Sequence, residues 1–423
     1  MNGTVTHDTG PAAGTGRFGI EALDVYGGVA CVSAQEVCTG RDLDPGRFGN
    51  LMMTRRSVGL PFEDPVTNAV NAARPLLDRL GCADRVGTLI TCTESGLDYS
   101  KSVASYVHDA LGLGRNCRLL EAKQACYSAT GALQLAAGYI ASGVDPGAKV
   151  LIIATDVSLA DAEAGYAEPA TGNGAVALLV GDDPRVLTLD PGAFGTYGFE
   201  VLDTARPAPD VEIADVDQSL LAYLDCFKNS FAHYQSRVAG ADFVSTFDHL
   251  AMHTPFAGMA KAGHRKLMRE LAGARPQAIE ADFERRLAPS LVYPSQVGNL
   301  FAGSLYLSLA SLIDTVRPGE PLRVGLFSYG SGCASEFYSG VIDASSAAEV
   351  AASGIADSLA ARAEVDFAAY DALVTENAGC LLPVRNRKVD LGRHTALLEQ
   401  AAPRRPLLAL TAVEDFHRRY EWI

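Results

Sequence analysis

The sequence predicts an α/β protein assembled from two copies of one structural plan. The segment "QACYSATGALQLAAGYIASG" followed by "KVLIIATD" shares its order of elements with "SQVGNLFAGSLYLSLASLID" followed by "LRVGLFSYGSG": a turn of small residues, an apolar helix, a short β-rich strand and a closing turn. Both helices are apolar around most of their circumference and both strands are continuous apolar runs, the pattern of elements buried beside one another. Composition agrees, with 48% hydrophobic and 20% charged residues over 423 positions, ordinary for a soluble chain able to bury a large core.

Taken in chain order, "MNGTVTHDTGPAAGTG" has no basic region ahead of an apolar core, so residues 1–15 read as a flexible tail and not as a signal or anchor. The first half is expected over 16–190, and the second, with a C-terminal extension, over 191–423. In "VGTLITCTESGLD" a strand runs into a loop and leaves Glu94 just past the strand end, where α/β folds place their chemistry. In "EAKQACYSATGALQLAAGYIASG", Cys126 heads a helix from Ala129 to Ile140 that reads as central and buried. Unpaired amides and the helix dipole at that end favour a thiolate, the reactive form.

The short strand "LAMH" delivers His253, which competes with His233, His249 and His264 for a functional role. The next helix, "KAGHRKLMRE", gathers Lys261, His264, Arg265, Lys266 and Arg269, either a local positive dock or a solvated face. Asn299 opens the second apolar helix, as a cap or as part of a site. The "SYGSG" turn offers amides to developing negative charge or is simply a tight turn, and Cys333 just after it reads as packing. A duplication of this kind predicts a pseudo-twofold arrangement in which the two helix starts meet, with Cys126 facing Asn299. The last eighty residues, an Ala-rich helix and the strand-like "LLALTAVEDFHRRYEWI", are expected to join the same body.

Other readings are excluded by composition. A formal charge of −15 argues against nucleic acid. No apolar run reaches the ~18 to 20 residues of a membrane span. The nine cysteines are scattered, with no C-x-x-C pair, which argues against a disulfide framework or zinc site and for a reducing, cytoplasmic setting.

With "TESGLDYSKS", "EAKQACYSAT", "HTPFAGMAK", "VGNLFAGSLYLSLASL" and "FSYGSG" in that order, the chain resembles the 3-hydroxy-3-methylglutaryl synthase family over roughly residues 16–423. The resemblance implies a thiolase-like fold, two pseudo-duplicated βαβαβαββ halves in a layered α-β-α-β-α core, and a homodimer. It implies Cys126 as nucleophile, Glu94 as general acid/base and His253 as the group that polarises the acceptor, with Asn299, Tyr329, Gly330 and Ser331 around the acyl group. "FEVLDTARPAPD", "SLLAYLDCFKNSF", "SYGSGCASEFYSG" and "FHRRYEWI" look most like the branch that performs β-branching on acyl carrier proteins in polyketide assembly.

That branch implies loading of acetyl from a donor carrier protein on Cys126, removal of a methyl proton by Glu94, and addition to the β-ketone of an acceptor carried by a polyketide synthase module. Hydrolysis then leaves a β-carboxymethyl branch, for dehydratase and decarboxylase partners to process. No intrinsic cofactor or metal is implied, the phosphopantetheine thioesters of carrier protein or CoA being substrates. His253, near its natural pKa, would both donate and accept at neutral pH. Carrier proteins are usually acidic, so Lys261 and Arg265 are the expected dock. Three alternatives stand beside this reading: the same chemistry on acetyl-CoA and acetoacetyl-CoA, a decarboxylative ketosynthase, which typically lacks an acid in the Glu94 position, and a non-catalytic scaffold. One departure is plain: many family members have a tyrosine soon after "IIATD", whereas here "VSLADAEAG" follows and Tyr166 is the nearest.

Overall fold

The computed structural model describes residues 16–159, 162–400 and 406–423; the tail expected over residues 1–15 lies outside them. Nine strands form one sheet: β1 (Gly19–Tyr26), β2 (Val86–Cys92), β3 (Arg118–Ala122), β4 (Lys149–Asp156), β5 (Gly174–Gly181), β6 (Leu187–Gly198), β7 (His249–Met252), β8 (Leu322–Gly330) and β9 (Ala334–Ile342). Their spatial order is β7-β8-β9-β6-β1-β5-β4-β2-β3. The main helices are α1 (Pro65–Leu80), α2 (Ser128–Ala141), α3 (Val216–Arg237), α4 (Ala257–Ala272), α5 (Ser304–Val316) and α6 (Phe367–Asn377).

Every residue of β4 and β5 is buried, because helices cover both faces. Alternate side chains of β4 go to opposite sides. Val150, Ile152 and Ala154 meet α2 and α5 in a central layer that also receives Val324 and Leu326 of β8. Leu151 and Ile153 face α1 and the C-terminal residues Leu407 to Leu410. On the far side of the second half, Phe327 and Phe337 pack with Phe227, Phe231 and Tyr234 of α3. The layers are therefore helix, sheet, helix pair, sheet, helix, the thiolase-like architecture. The strands of its two halves form one sheet through a short seam where Gly19 and Ile20 pair with Thr188 and Leu187.

The first half runs β1-α1-β2-helix-β3-α2-β4-β5, with Val103–Ala110 as the second helix. The second half is one strand short: among the described residues nothing corresponds to β3, and the helix Pro276–Arg286 packs against the edge strand β7. The division expected at 190–191 falls inside β6. The C-terminal extension packs on the first half. Ala363–Val365 pairs with Ala30–Ser33, and the hairpin Leu408–Glu414/His417–Trp422 lies by α1.

Asp64 explains that last contact. It caps α1 by accepting from Val66 N and Thr67 N at 2.9 Å each, and its other oxygen accepts from Arg418 Nη1 at 3.0 Å and Tyr420 Oη at 2.8 Å. The duplication is physical where the central helices begin, since Thr130 Oγ1 of α2 and Tyr306 Oη of α5 are 3.0 Å apart. The pair is unequal. Residues Ser304 to Ile313 of α5 are buried on every side, whereas α2, expected to be enclosed, leaves Leu135 77% exposed because β3 beside it is a sheet edge.

Glu63, next to the cap, is 1% exposed and accepts from Tyr26 Oη at 2.6 Å and from Leu60 N and Val29 N. Burial pushes its carboxyl up to about 7, against those hydrogen bonds, which pull it down. A folded-state pKa above the unfolded one means that stability is fully present below the unfolded pKa near 4.5 and is lost as pH rises through 7. Relative to Glu63→Gln, the wild type should lose about 3 kcal/mol between those limits. Chemical-denaturation midpoints of both proteins at pH 4.5, 6 and 8 check this; parallel pH dependences would refute it.

Candidate active site

The C-terminal ends of β2, β4 and β8 and the start of α2 converge on one spot. Residues Thr93 to Ser95 leave β2 and wrap the carboxylate of Asp156, the last residue of β4. Its Oδ1 accepts from Glu94 N at 2.8 Å, Ser95 Oγ at 2.9 Å and Thr93 Oγ1 at 3.1 Å, while Oδ2 is buried and has no hydrogen-bond partner among the described residues. That clamp fixes the loop from which the Glu94 side chain reaches the thiol of Cys126, with Sγ 3.1 Å from Oε1. Two of the residues expected at separate strand and helix ends are thus joined by a direct hydrogen bond.

Cys126 lies in the turn before α2 and is half-buried. Expected to favour the thiolate, it does the opposite: burial first, then the Glu94 carboxylate, push the thiol well above its ordinary value. The helix end offers no counterweight because its amides are already used, Tyr127 N donating to Gln124 O and Ser128 N to Ala125 O. Burial likewise raises the Glu94 carboxyl, with Arg206 the largest opposing influence. Arg206 arrives on the strand Thr204–Ala208, donates to Ser95 Oγ at 2.9 Å and pairs with Glu212 at 3.2 Å. The thiol therefore faces a carboxyl able to receive its proton.

His253 stands just past β7 as expected, with its backbone N donating to Phe327 O at 2.7 Å. It is 2% exposed, its Nδ1 is buried with no partner among the described residues, and burial pulls its pKa down to about 3. The expectation of an imidazole near its natural pKa is overturned: His253 is neutral at pH 7 and offers a fixed N–H or lone pair. The competing histidines have other work. His264, expected on the basic face, is buried with Nε2 2.7 Å from Asp282 Oδ2, and His233 Nδ1 accepts from Thr196 N at 2.9 Å.

The turn after β8 borders the cysteine. A Cβ on Gly330 would lie 2.5 Å from both Gln124 O and Tyr127 N, so only glycine lets β8 approach the Cys126 turn this closely. Ser331 O accepts from Gln124 Nε2 at 3.5 Å. Tyr329 is buried and its hydroxyl is committed to Asp203 Oδ2 at 2.6 Å, whose Oδ1 accepts from Gly332 N at 2.9 Å. Asn299 bonds within its own surroundings, Oδ1 accepting from Phe301 N at 2.9 Å and Ser304 Oγ at 2.6 Å, and it is the N-cap neither of the short turn Phe301–Gly303 nor of α5. Cys333 packs as expected, 3.5 Å from Cys226.

In the basic cluster, Lys261 is 2.6 Å from Glu280 and Lys266 2.5 Å from Glu270, which leaves Arg265 and Arg269 exposed without an ion pair among the described residues. Tyr166 donates to Asp44 O at 3.4 Å beneath Arg47. No group of three His, Cys, Asp or Glu among the described residues is placed to hold a metal ion, and no helix is long and apolar enough to cross a membrane.

Residue patterns missed Asp156, Asp203 and Arg206. Asp156 had a signal, since it ends an apolar strand as Glu94 follows one; the other two sit in "FEVLDTARPAPD", where no periodicity marks them.

A thiol and a carboxyl at the strand ends of a thiolase-like core define an acyl-transferring enzyme of the condensing type. The chain matches the models for the N-terminal part of hydroxymethylglutaryl-coenzyme A synthase over residues 15–185 and the C-terminal part over residues 268–381. It is 47% identical to the polyketide biosynthesis 3-hydroxy-3-methylglutaryl-ACP synthase PksG of Bacillus subtilis, over 96% of this chain and 99% of that protein. Identity to the hydroxymethylglutaryl-CoA synthase of Enterococcus faecalis is 32%, over 85% and 92%. The crystal structure of the curacin biosynthetic pathway HMG synthase in complex with acetyl donor-ACP superimposes with a TM-score of 0.93 at 48% identity, covering 96% of this chain and all of that one. The chain belongs to the hydroxymethylglutaryl-CoA synthase family.

The burial of His253 gives a direct spectroscopic expectation. Its ring carbon resonances should not move between pH 5 and 8 in an NMR titration of histidine-labelled protein, with assignment by His253→Gln. Titration with a midpoint above pH 5.5 would overturn the neutral assignment.

Proposed function

We propose that this enzyme performs β-branching in polyketide biosynthesis, taking acetyl from a donor acyl carrier protein and adding it to a β-ketoacyl chain on an acceptor carrier protein. The Cys126–Glu94 hydrogen bond carries the chemistry of this reading. The similarity to PksG, and to a synthase crystallised with acetyl donor-ACP, supports the choice of carrier protein over CoA.

In the first step Glu94 receives the thiol proton as Cys126 Sγ bonds to the acetyl carbonyl carbon; the donor thiolate leaves and takes that proton back. Glu94, again a carboxylate, then removes a proton from the acetyl methyl, a task suited to a base whose pKa is raised by burial. The enolate carbon bonds to the acceptor's β-carbon. The oxygen that becomes an alkoxide accepts a hydrogen bond from His253, a neutral donor just past β7, and takes the proton that Glu94 removed from the methyl, which restores the carboxylate. Water releases the product from the sulfur. Gly330 and Ser331 border the acyl group in this scheme, with Tyr329 and Asn299 holding their loops. The substrates bring their own phosphopantetheine, and no other cofactor enters. Nine free cysteines suit a cytosolic setting.

Intact-protein mass spectrometry tests the reaction. Acetyl should load rapidly from acetyl carrier protein, and loading should vanish in Cys126→Ala. Equal or faster loading from acetyl-CoA would move the enzyme to CoA metabolism, and no loading from either would refute condensation. Because Lys261 is engaged by Glu280, the free charge for docking rests on Arg265 and Arg269. Arg265→Glu should weaken the apparent affinity for donor carrier protein roughly tenfold and leave its loading rate at saturation unchanged. Unchanged affinity would place the dock elsewhere.

The active unit is proposed to be a homodimer. The edge strand β3 is unpaired on one side, and Leu120, 55% exposed, and Leu135, 77% exposed, lie on it and on neighbouring α2. Antiparallel pairing of β3 with its copy would continue the sheet across a twofold axis and cover both leucines. Light scattering should give a dimer for the wild type and a shift to monomer for Leu135→Asp; a wild-type monomer at micromolar concentration would refute it.

A further inference from the structure

The turn that carries Cys126 is closed by hydrogen bonds of its own, from Tyr127 N to Gln124 O and from Ser128 N and Oγ to Ala125 O, yet it holds a strained residue. Ala125, directly before the cysteine, has φ +43°, a left-handed conformation that costs a residue with a Cβ about 1–2 kcal/mol. Tyr127, the N-cap of α2, makes no side-chain capping hydrogen bond. A strained conformation persists only where its surroundings over-determine it. Here those surroundings come from the β8–β9 hairpin, in the other half of the chain. Gly330 at the end of β8 presses on Gln124 O and Tyr127 N. From β9, Glu336 reaches the residue next to the nucleophile, its Oε2 accepting from Tyr127 Oη at 2.8 Å.

Glu336 is an unusual anchor. It is 2% exposed, stands opposite Ser328 of β8 and Thr196 of β6, and has no cationic partner among the described residues. Burial pushes its carboxyl up to about 7, with hydrogen bonds from Tyr127 and Gln134 pulling the other way. An unpaired carboxyl in a core is costly, and an apolar side chain of the same size would pack without that cost. What Glu336 has that an apolar side chain lacks is its polar grip on α2 and its N-cap, through Tyr127 first and Gln134 second. We propose that Glu336 is a positioning residue for the reaction, holding the Tyr127 hydroxyl so that the strained turn keeps the Cys126 sulfur against Glu94.

This inference rests on Cys126 being the nucleophile, so its test reads the thiol directly as well as through acyl loading. Rates of Cys126 alkylation by iodoacetamide and of acetylation by acetyl carrier protein are measured by intact mass for wild type, Glu336→Gln, Glu336→Ala, Tyr127→Phe and the Ala/Phe double variant, each checked for an unaltered circular dichroism spectrum. Glu336→Gln keeps an acceptor oxygen and should stay within about twofold of wild type. Glu336→Ala and Tyr127→Phe should each slow both reactions roughly tenfold or more, and the double variant should be no slower than the slower single, since each change removes the same bond. Wild-type alkylation in Glu336→Ala, a Gln variant as slow as the Ala one, or losses that multiply would overturn the proposal. If Glu336→Ala does not fold, Tyr127→Phe against Glu336→Gln decides it. A wild type that alkylates at Cys126 but accepts no acetyl would refute the proposed function and leave the alkylation series to decide on Glu336.

Discussion

The 3.1 Å hydrogen bond from Cys126 Sγ to Glu94 Oε1 is the contact around which this molecule is arranged. It joins two groups that burial makes reluctant to ionise and sets the carboxyl oxygen where a proton leaving the sulfur would go. A thiol alone at this depth would be inert, and a carboxyl alone would be a liability. In the proposed reaction they act together as a base-activated nucleophile, which needs the loop after one strand and the turn before one helix both held in place.

The first of these is fixed by charge. Asp156 at the end of β4 gathers three donors from Thr93, Glu94 and Ser95, and Arg206 stands beside them as the cation facing Glu94, Asp156 and Glu212. Burial raises both the Glu94 and the Asp156 carboxyl, and the Arg206 guanidinium opposes it at each. The electrostatics and the loop conformation are thus one feature.

The second is fixed by packing between the duplicated halves. β4 and β8 end on the same side of the central helix pair, so the glycine turn after β8 meets the turn before α2, and β9 adds Glu336. The remainder of the fold supports these strand ends. The C-terminal hairpin, tied by Arg418 and Tyr420 to Asp64, closes the outer side of the first half, and the aromatic cluster of Phe227, Phe231, Phe327 and Phe337 closes that of the second. Cost is concentrated at the site, in a strained Ala125 and in buried His253 and Glu336, and is carried by this surrounding core.

Much of the architecture was legible from local pattern, because apolar runs of strand and helix length report burial whatever surrounds them. The repeated helix-then-strand order located both central helices, and Glu94, Cys126 and His253 all stand at the element ends where their neighbours' periodicity put them. Only the assembled chain decided their ionisation, since that depends on which groups lie within a few ångströms across gaps of 32 residues for Glu94 and Cys126 and 209 for Tyr127 and Glu336. Helix-end reasoning gave Cys126 a thiolate, and the turn's own carbonyls took the amides instead; solution chemistry gave His253 a neutral-range pKa, and burial removed it. The same distinction separates α5 from α2, equally apolar as sequences, of which one is enclosed and the other borders a sheet edge. Sequence by itself determined which elements form and which reactive side chains end them; tertiary structure determined who faces whom, and with that the charge on each group, because electrostatic and packing energies are set by distance in space and not along the chain.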